Sequence, residues 1–335
     1  MSGHAASDRA APRLVCVGEA LIDLVAVETD TPLAEAGTFV RAAGGAPANV
    51  AVGAARLGVR SAFLGKVGAD PFGDHLVDTL AAAGVDTSLV ARDPQARTGL
   101  AFVSRHEGDR EFLFYRHPAA DQRLRVDEVD AERIRRAEVL HFGSVSLPVS
   151  PAREATLHAV AVAGSAGVLR SLDVNLRLEG WGSAGEARAA ILAAAATSEV
   201  VKVSEEELDF LAGGTGEAGA TALLRGATGL LVVTRGAAGA SYYLATGDGL
   251  AAGHVAGFAV AALDTTGAGD AFVAGLLTGI LADRNALTDR GALEAVLRRA
   301  NACGALATTR LGAIPALPTA TELAAFLAGA SVTPA

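Results

Sequence analysis

Of the chain's 335 residues, 51% are hydrophobic and 19% charged, which excludes a disordered polymer, a disulfide-stapled miniprotein and a coiled-coil rod. A single core nears its practical ceiling at roughly 250–300 residues, so one large domain with a small appendage is expected. The net charge of −9, from 28 Lys and Arg against 37 Asp and Glu, argues against nucleic acid as a partner and requires a local positive site for any anionic ligand. No run of about 18 strongly apolar residues suits a membrane span. Cys16 and Cys303 stand far apart in apolar segments and read as buried thiols in a reducing compartment, without the spacing of a zinc site or a disulfide framework. Residues 1–12 are polar and alanine-rich with no apolar signal core, so they read as a loose tail and the location as cytoplasmic.

Leu14 to Val17 is a short apolar strand ending at Gly18, and Leu21 to Val27 alternates as a second. After a turn at Thr31-Pro32, Pro47 suits the first turn of a helix whose Val50, Ala54 and Leu57 recur at helical spacing before Gly58 stops it. A strand at Ser61 to Val67 and a helix from Pro71 to Ala83 follow. From Thr98 to Tyr115 the pattern changes to strands without helices, with Gly108-Asp109 as a hairpin turn, and this is the expected appendage. Strands at 139–142, 168–173 and 199–203 are then each followed by a helix, at 151–163, 185–196 and 204–211. That repetition predicts a parallel sheet with helices on both faces. Leu230 to Thr234 is a fully apolar strand, and Ala240 to Ala245 and Gly249 to Val255 read as antiparallel strands at one edge. Two helices follow, with Phe272, Leu276 and Ile280 on one face of the first and Leu293, Leu297, Ala300, Gly304 and Ala307 on the next.

Three glycine motifs carry candidate chemistry. Gly214 to Gly219 matches GxGxxG but follows a helical acidic segment, Glu205 to Leu211, whereas a dinucleotide fingerprint must follow a strand and open a helix. It reads as a helix-ending loop. Neither lysine, Lys66 or Lys202, sits in a Walker A loop. Asp264-Thr265-Thr266-Gly267-Ala268-Gly269-Asp270 leads straight into an apolar helix, so the amides of Gly267, Ala268, Gly269 and Asp270 can face one anion, helped by the helix dipole. Asp270 at that mouth is either an N-terminal capping carboxylate or a catalytic base. Gly44-Gly45-Ala46-Pro47-Ala48-Asn49 again puts two glycines before a helix, with Asn49 placed either to close a tight turn locally or to exchange hydrogen bonds with a hydroxylated ligand. Asp23, a carboxylate in an apolar strand, is either paired or set to accept hydroxyl protons from a ligand.

Together these motifs carry a family resemblance. From about Arg13 to Leu327 the sequence resembles the ribokinase-like (PfkB) carbohydrate kinases, with Gly44 to Asn49, through Gly58 and Gly68, as the N-terminal signature and Asp264 to Asp270 as the C-terminal one. Gly18 to Asp23, Phe114 to Asp121, His141 to Ser146, Asn175-Leu176-Arg177, Lys202 to Glu207, Asn301 to Ala305 and Gly312 to Thr319 are similar to the fructokinases of that family. The chain departs at His117, where fructokinases usually have Asn, at Val174, where Pro usually precedes Asn175, and at Ser204, where the wider family often has the Asn of an NxxE motif.

The resemblance implies an α/β ribokinase-like fold, a central mostly parallel sheet with helices on both faces, and a small β-sheet lid formed by about 21–43 and 97–118. It implies ATP-dependent transfer of the γ-phosphate to a primary hydroxyl of a monosaccharide, fructose to fructose 6-phosphate. Kinases of ribose, 2-keto-3-deoxygluconate or a nucleoside, and a non-catalytic sensor, are the alternatives, although a sensor would be expected to lose the base or the glycines beside it. Asp270 would be the base, with Gly267, Ala268 and Gly269 as the anion hole. An ordinary aspartate, with a pKa of about 3.9, would be ionised at neutral pH and a weak base for an alcohol. Asp23, Gly44, Gly45, Asn49, Arg116 and Arg177 would meet the sugar, and Asn175, Lys202, Glu207, Thr234, Gly236, Gly239 and Asn301 the nucleotide. Glu207 would orient Mg²⁺-bound waters, and K⁺ would sit near Asp264 and Thr266. Relatives often pair such lids across a dimer, so a homodimer through the lid is implied.

Overall fold

Alternation along the first strand, β1 (Leu14–Val17), divides the core in two: Leu14 and Cys16 enter one apolar layer, Val15 and Val17 the other. All four residues are fully buried, as a strand covered by helices on both faces requires. The computed structural model describes residues 11–28, 30–106, 109–116, 118–247 and 249–329. Residues 1–10 of the expected tail, Gly108 of the expected hairpin turn and His117 lie outside the described residues.

After β1 come β2 (Leu21–Ala26), β3 (Phe39–Gly44), α1 (Ala46–Arg56), β4 (Ser61–Gly68), α2 (Pro71–Ala82), β5 (Val90–Asp93), β6 (Leu100–His106) and β7 (Asp109–Tyr115). The middle of the chain gives α3 (Ala131–Arg135), β8 (Val139–Gly143), α4 (Ala152–Ser165), β9 (Leu169–Asp173), α5 (Ala184–Ala195), β10 (Val200–Ser204), α6 (Glu205–Ala212) and α7 (Glu217–Leu223). The last part gives β11 (Leu230–Thr234), β12 (Gly239–Thr246), β13 (Gly249–Ala256), α8 (Ala268–Ala282), α9 (Arg290–Thr308) and α10 (Ala320–Gly329).

Nine strands form one sheet in the order β13-β12-β11-β10-β9-β8-β1-β4-β5. Pairing is parallel from β11 to β5, and β12 and β13 are antiparallel at the opposite edge. This is the expected α/β architecture. The parallel strands end on one side of the sheet, and the order reverses between β1 and β8, which opens a crevice where ligands bind in open α/β sheets.

A second sheet, β3-β2-β6-β7, occupies the expected lid segments. The chain leaves the large sheet at Gly18, builds β2 and β3, and re-enters it through α1. Phe39, Phe102 and Tyr115 stack edge-to-face on one side of the small sheet. Its register sets Asp23 beside Ala42 and Ala101, with Phe114 next in the row, so small neighbours leave Asp23 room.

The sequence reading gives no element for α3, β5, α7 or α10. The strand β5 is four residues long and mostly part-exposed, so it offers no alternation to read. The Gly214–Gly219 segment does join two helices, with Gly213 in left-handed conformation ending α6, but its last three residues already belong to α7.

Candidate active site

At the carboxyl ends of β1, β9 and β10 lies a cavity of about 250 Å³, roofed on one side by the small sheet. Leu21, Asp23 and Phe114 come from that sheet, Asn49 from α1, Asp173, Asn175 and Arg177 from the end of β9, Lys202 from β10, and Thr265, Thr266, Gly267, Gly269 and Asp270 from the mouth of α8. Two glycines shape the lip. A Cβ on Gly44 would stand 2.2 Å from Asp23 Oδ2, so glycine lets the carboxylate lie flat against the backbone. Gly45 takes a φ of 108°, and a Cβ there would meet the Glu19 carbonyl at 2.4 Å, a conformation open to glycine and few others.

Asp270 is the third residue of α8, whose N-cap is Gly267, so its side chain is not the cap. It accepts a hydrogen bond from Asn49 Nδ2 at 2.7 Å, across 221 residues of sequence. The same bond decides the reading of Asn49, whose amide serves a distant carboxylate rather than its own turn. Burial pushes the Asp270 pKa up to about 6; the Asn49 bond pulls down, the Asp173 charge pushes up, and Lys202 and Arg177 pull down. A carboxylate with that pKa is a better proton acceptor than the ordinary aspartate expected from sequence. The first amides of a helix have no intrahelical acceptor; at the mouth of α8 the N–H of Ala268 donates to Thr265 O at 3.3 Å, and Gly267, Gly269 and Asp270 line the cavity.

Lys202 is the cation at the cavity floor. It is 8% exposed and donates to Asp173 Oδ1 at 3.0 Å; the two residues are register partners on β10 and β9. Burial would lower its pKa, but the charges of Asp173, Glu207 and Asp270 outweigh that and hold it above the usual lysine value. An ideal Cβ on Gly269 would lie 3.7 Å from Lys202 Nζ, which puts the ammonium against the mouth of α8.

Glu207 does not line this cavity. Its carboxylate accepts the N–H of Leu176 at 2.8 Å through Oε1 and that of Ser204 at 2.7 Å through Oε2. With Ser204 Oγ accepting the Glu207 N–H at 3.2 Å, this is a capping box that also holds the turn after β9, where Asn175 takes a φ of 38°. Asp264 clamps two loops: Oδ1 accepts from Thr266 N and Oγ1 at 3.0 and 2.6 Å, and Oδ2 from Gly312 N at 2.9 Å.

The remaining expected residues lie elsewhere. Arg116, at the exit of β7, is buried in an ion pair with Asp121 and lines a small separate cleft with Ser146 and Gln122. Gly239 pairs with Ala256, and Asn301 Nδ2 donates to Val255 O at 2.9 Å and Ala256 O at 3.1 Å, so both converge on the end of β13. Thr234 Oγ1 donates to Val203 O at 3.2 Å, and Gly236 follows it with a φ of 55°. These four form a group apart from the cavity lining. Sequence reasoning assigned no role to Asp173 or Glu19, both cavity residues; each follows or ends a parallel strand, the one signal that could have found them.

Residues 11–320 match the model of the pfkB family carbohydrate kinases. The chain is 48% identical over 328 residues to the probable fructokinase-4 of Arabidopsis thaliana, covering 97% of this chain and 99% of that protein. Among solved structures, it is similar to the fructokinase with bound ATP from Xylella fastidiosa, with a TM-score of 0.85, 38% identity, and 94% and 98% of the two chains covered. It is similar also to the fructokinase from Vibrio cholerae O395 bound to fructose, ADP and calcium ion, with a TM-score of 0.83, 38% identity, and 94% and 99% coverage.

Proposed function

The chain belongs to the pfkB family of carbohydrate kinases and is thus a phosphotransferase acting on a sugar hydroxyl, and from that premise we propose that it phosphorylates fructose at its primary hydroxyl with ATP, giving fructose 6-phosphate. The observation that carries this reading is the placement of Asp270, held by Asn49 at the mouth of α8 in a cavity shared with Asp23, Arg177 and Lys202. The names of the relatives supply the sugar and the nucleotide.

Asp270 takes the proton of the attacking hydroxyl as the new O–P bond forms and the bond from the γ-phosphorus to the bridging oxygen breaks. Phosphoryl transfer leaves little covalent work to the protein, so the acceleration comes from alignment and charge neutralisation. The amides of Gly267, Gly269 and Asp270, with Lys202, face the migrating group, while the Ala268 N–H, bonded to Thr265 O at 3.3 Å, shapes the turn that presents them. Asp23, Gly44, Gly45, Asn49 and Arg177 bind the sugar; Arg116, ion-paired behind the wall, acts on the lid. Asn175 and Lys202 face the phosphates, and Thr234, Gly236, Gly239 and Asn301 frame the nucleotide.

Mg²⁺, when bound, would neutralise charge on the phosphates. Magnesium keeps several waters and needs few protein ligands, which fits a site where, among the described residues, no three His, Cys, Asp or Glu side chains gather. Asn175, which lines the cavity, would meet those waters, whereas Glu207, whose two oxygens accept the N–H groups of Leu176 and Ser204, would act by holding that turn. K⁺ would be held beside Asp264 and Thr266, and activity in K⁺ against a bulky organic cation tests it. The small sheet closes over the sugar and excludes water. A second copy covers its outer face, where Tyr115 is 61% and Leu113 48% exposed, and sedimentation at working concentration checks the dimer. No helix among the described residues is long and apolar enough to cross a membrane; the free, buried thiols of Cys16 and Cys303 favour the cytoplasm.

An ATP-coupled screen of fructose, ribose, 2-keto-3-deoxygluconate, tagatose 6-phosphate and adenosine tests the assignment. Fructose should turn over fastest; strong turnover on another acceptor with none on fructose rejects it.

A further inference from the structure

Glu19 has no part in the chemistry above, yet it is a carboxyl side chain only 3% exposed on the wall of the cavity. One oxygen, Oε1, accepts the N–H of Ala46, the first residue of α1, at 3.0 Å. The other, Oε2, is buried with no hydrogen-bond partner among the described residues. Arg116, where the lid strand β7 returns to the core, acts on Glu19 electrostatically and is ion-paired with Asp121. Arg116 Nε and Asp121 Oδ1 are also buried without partners among the described residues, as is the hydroxyl of Ser146, which shares a small cleft with Arg116. A half-satisfied buried polar cluster is expensive, and an apolar replacement of the same size would often be more stable. Glu19 therefore needs a reason beyond stability.

We propose that Glu19 is a positioning residue that joins the lid's exit to the catalytic base through the first turn of α1. Arg116 attracts its carboxylate from the lid side. Its Oε1 fixes Ala46 at the start of the turn that ends in Asn49, whose amide holds Asp270 at 2.7 Å. Each link is an ion attraction, a hydrogen bond or one helical turn, so an error at Glu19 is passed on as a misplaced Asn49 amide. Burial pushes the Glu19 pKa up to about 7, against the pull of Arg116, so its charge depends on the lid keeping Arg116 near. The inference rests on Asp270 being the base.

Coupling of this kind is established only by a double-mutant cycle. Turnover on fructose is measured for Glu19→Ala, Asn49→Ala and the double variant. Glu19→Ala should lower kcat about tenfold in the wild-type background and less than threefold once Asn49 is alanine. Glu19→Gln, which keeps an acceptor for the Ala46 N–H, should restore kcat to within threefold of wild type while raising the KM for fructose, because the attraction to Arg116 is gone. If Glu19→Ala does not fold, Glu19→Asp, which keeps the charge but is too short to reach Ala46, runs the same cycle. Equal losses in both backgrounds, unchanged kcat, or a Gln variant as slow as the Ala variant would overturn the proposal. Asp270→Ala separates the two claims: normal turnover there removes the base itself, whereas an inactive Asp270→Ala with an additive cycle removes only the role of Glu19.

Discussion

Asn49 donates to Asp270 at 2.7 Å, joining the first turns of α1 and α8. The bond has a signed consequence for pH. Asp270 must be ionised to take a proton, and its pKa is pushed up to about 6, so kcat/KM should fall as pH drops through 6 rather than through the ordinary aspartate range. Asn49→Ala removes a donor that favours the charged form, so the acid limb should move up by about one pH unit. Asp173→Asn removes a negative neighbour that disfavours the charged form, so the limb should move down. Profiles that shift together, or not at all, would mean that another group sets the limb.

Lys202 gives the next expectation. Its ammonium touches Asp173 at 3.0 Å and faces the mouth of α8. Lys202→Met keeps the length of the side chain and removes the charge, leaving Asp173 buried without its cation. We expect kcat to drop about 100-fold, with the KM for ATP raised, since one preorganised donor is commonly worth 10²–10³ in rate. A loss confined to melting temperature, with unchanged kinetics in the folded fraction, would reduce Lys202 to a structural counter-ion.

Much of this was legible in the sequence because it depends on period and punctuation. The apolar run Leu230 to Thr234 could only be a covered strand, and Gly267 before an apolar helix marked an anion-facing mouth. What stayed hidden were contacts between distant residues. Nothing local reveals that Asn49 serves Asp270, that Lys202 and Asp173 become register partners, or that Glu207 also accepts the N–H of Leu176. Asp173 was read only as a strand end and Glu19 only as a member of the Gly18 to Asp23 motif, because burial is a property of the assembled sheet. The raised pKa of Asp270 has the same origin, since it comes from desolvation and neighbours rather than from residue type.

Gly44→Ala tests the sugar side. A methyl group 2.2 Å from Asp23 Oδ2 cannot be accommodated unless Asp23 moves. The anion hole and Asp270 are untouched, so the KM for fructose should rise 10- to 100-fold while kcat changes less than threefold. Asp23→Ala should give the same signature, because a site built to hydrogen-bond a hydroxyl loses most when a partner is removed. If Gly44→Ala lowers kcat and leaves KM alone, Asp23 is not a sugar contact.

Asp270→Asn should trade activity for stability. The folded pKa of about 6 lies above the ordinary 3.8, so the folded state binds this proton more tightly than the unfolded chain does. The stabilising contribution is complete below about pH 3.8 and is lost as pH rises through 6. Above that pH the wild-type protein carries a partly buried charge that the amide avoids. Two units of displacement correspond to at most about 3 kcal/mol, reduced by the side that opens to the cavity. The variant should thus melt a few degrees above wild type at pH 8 and level with it near pH 4. Turnover should fall about 10³-fold or more, with ATP affinity within threefold by calorimetry. A base is kept at a cost to the fold, whereas a structural carboxylate is kept for its benefit. Destabilisation at pH 8 would therefore assign Asp270 to the helix mouth as a stabiliser and take the proton transfer away from it.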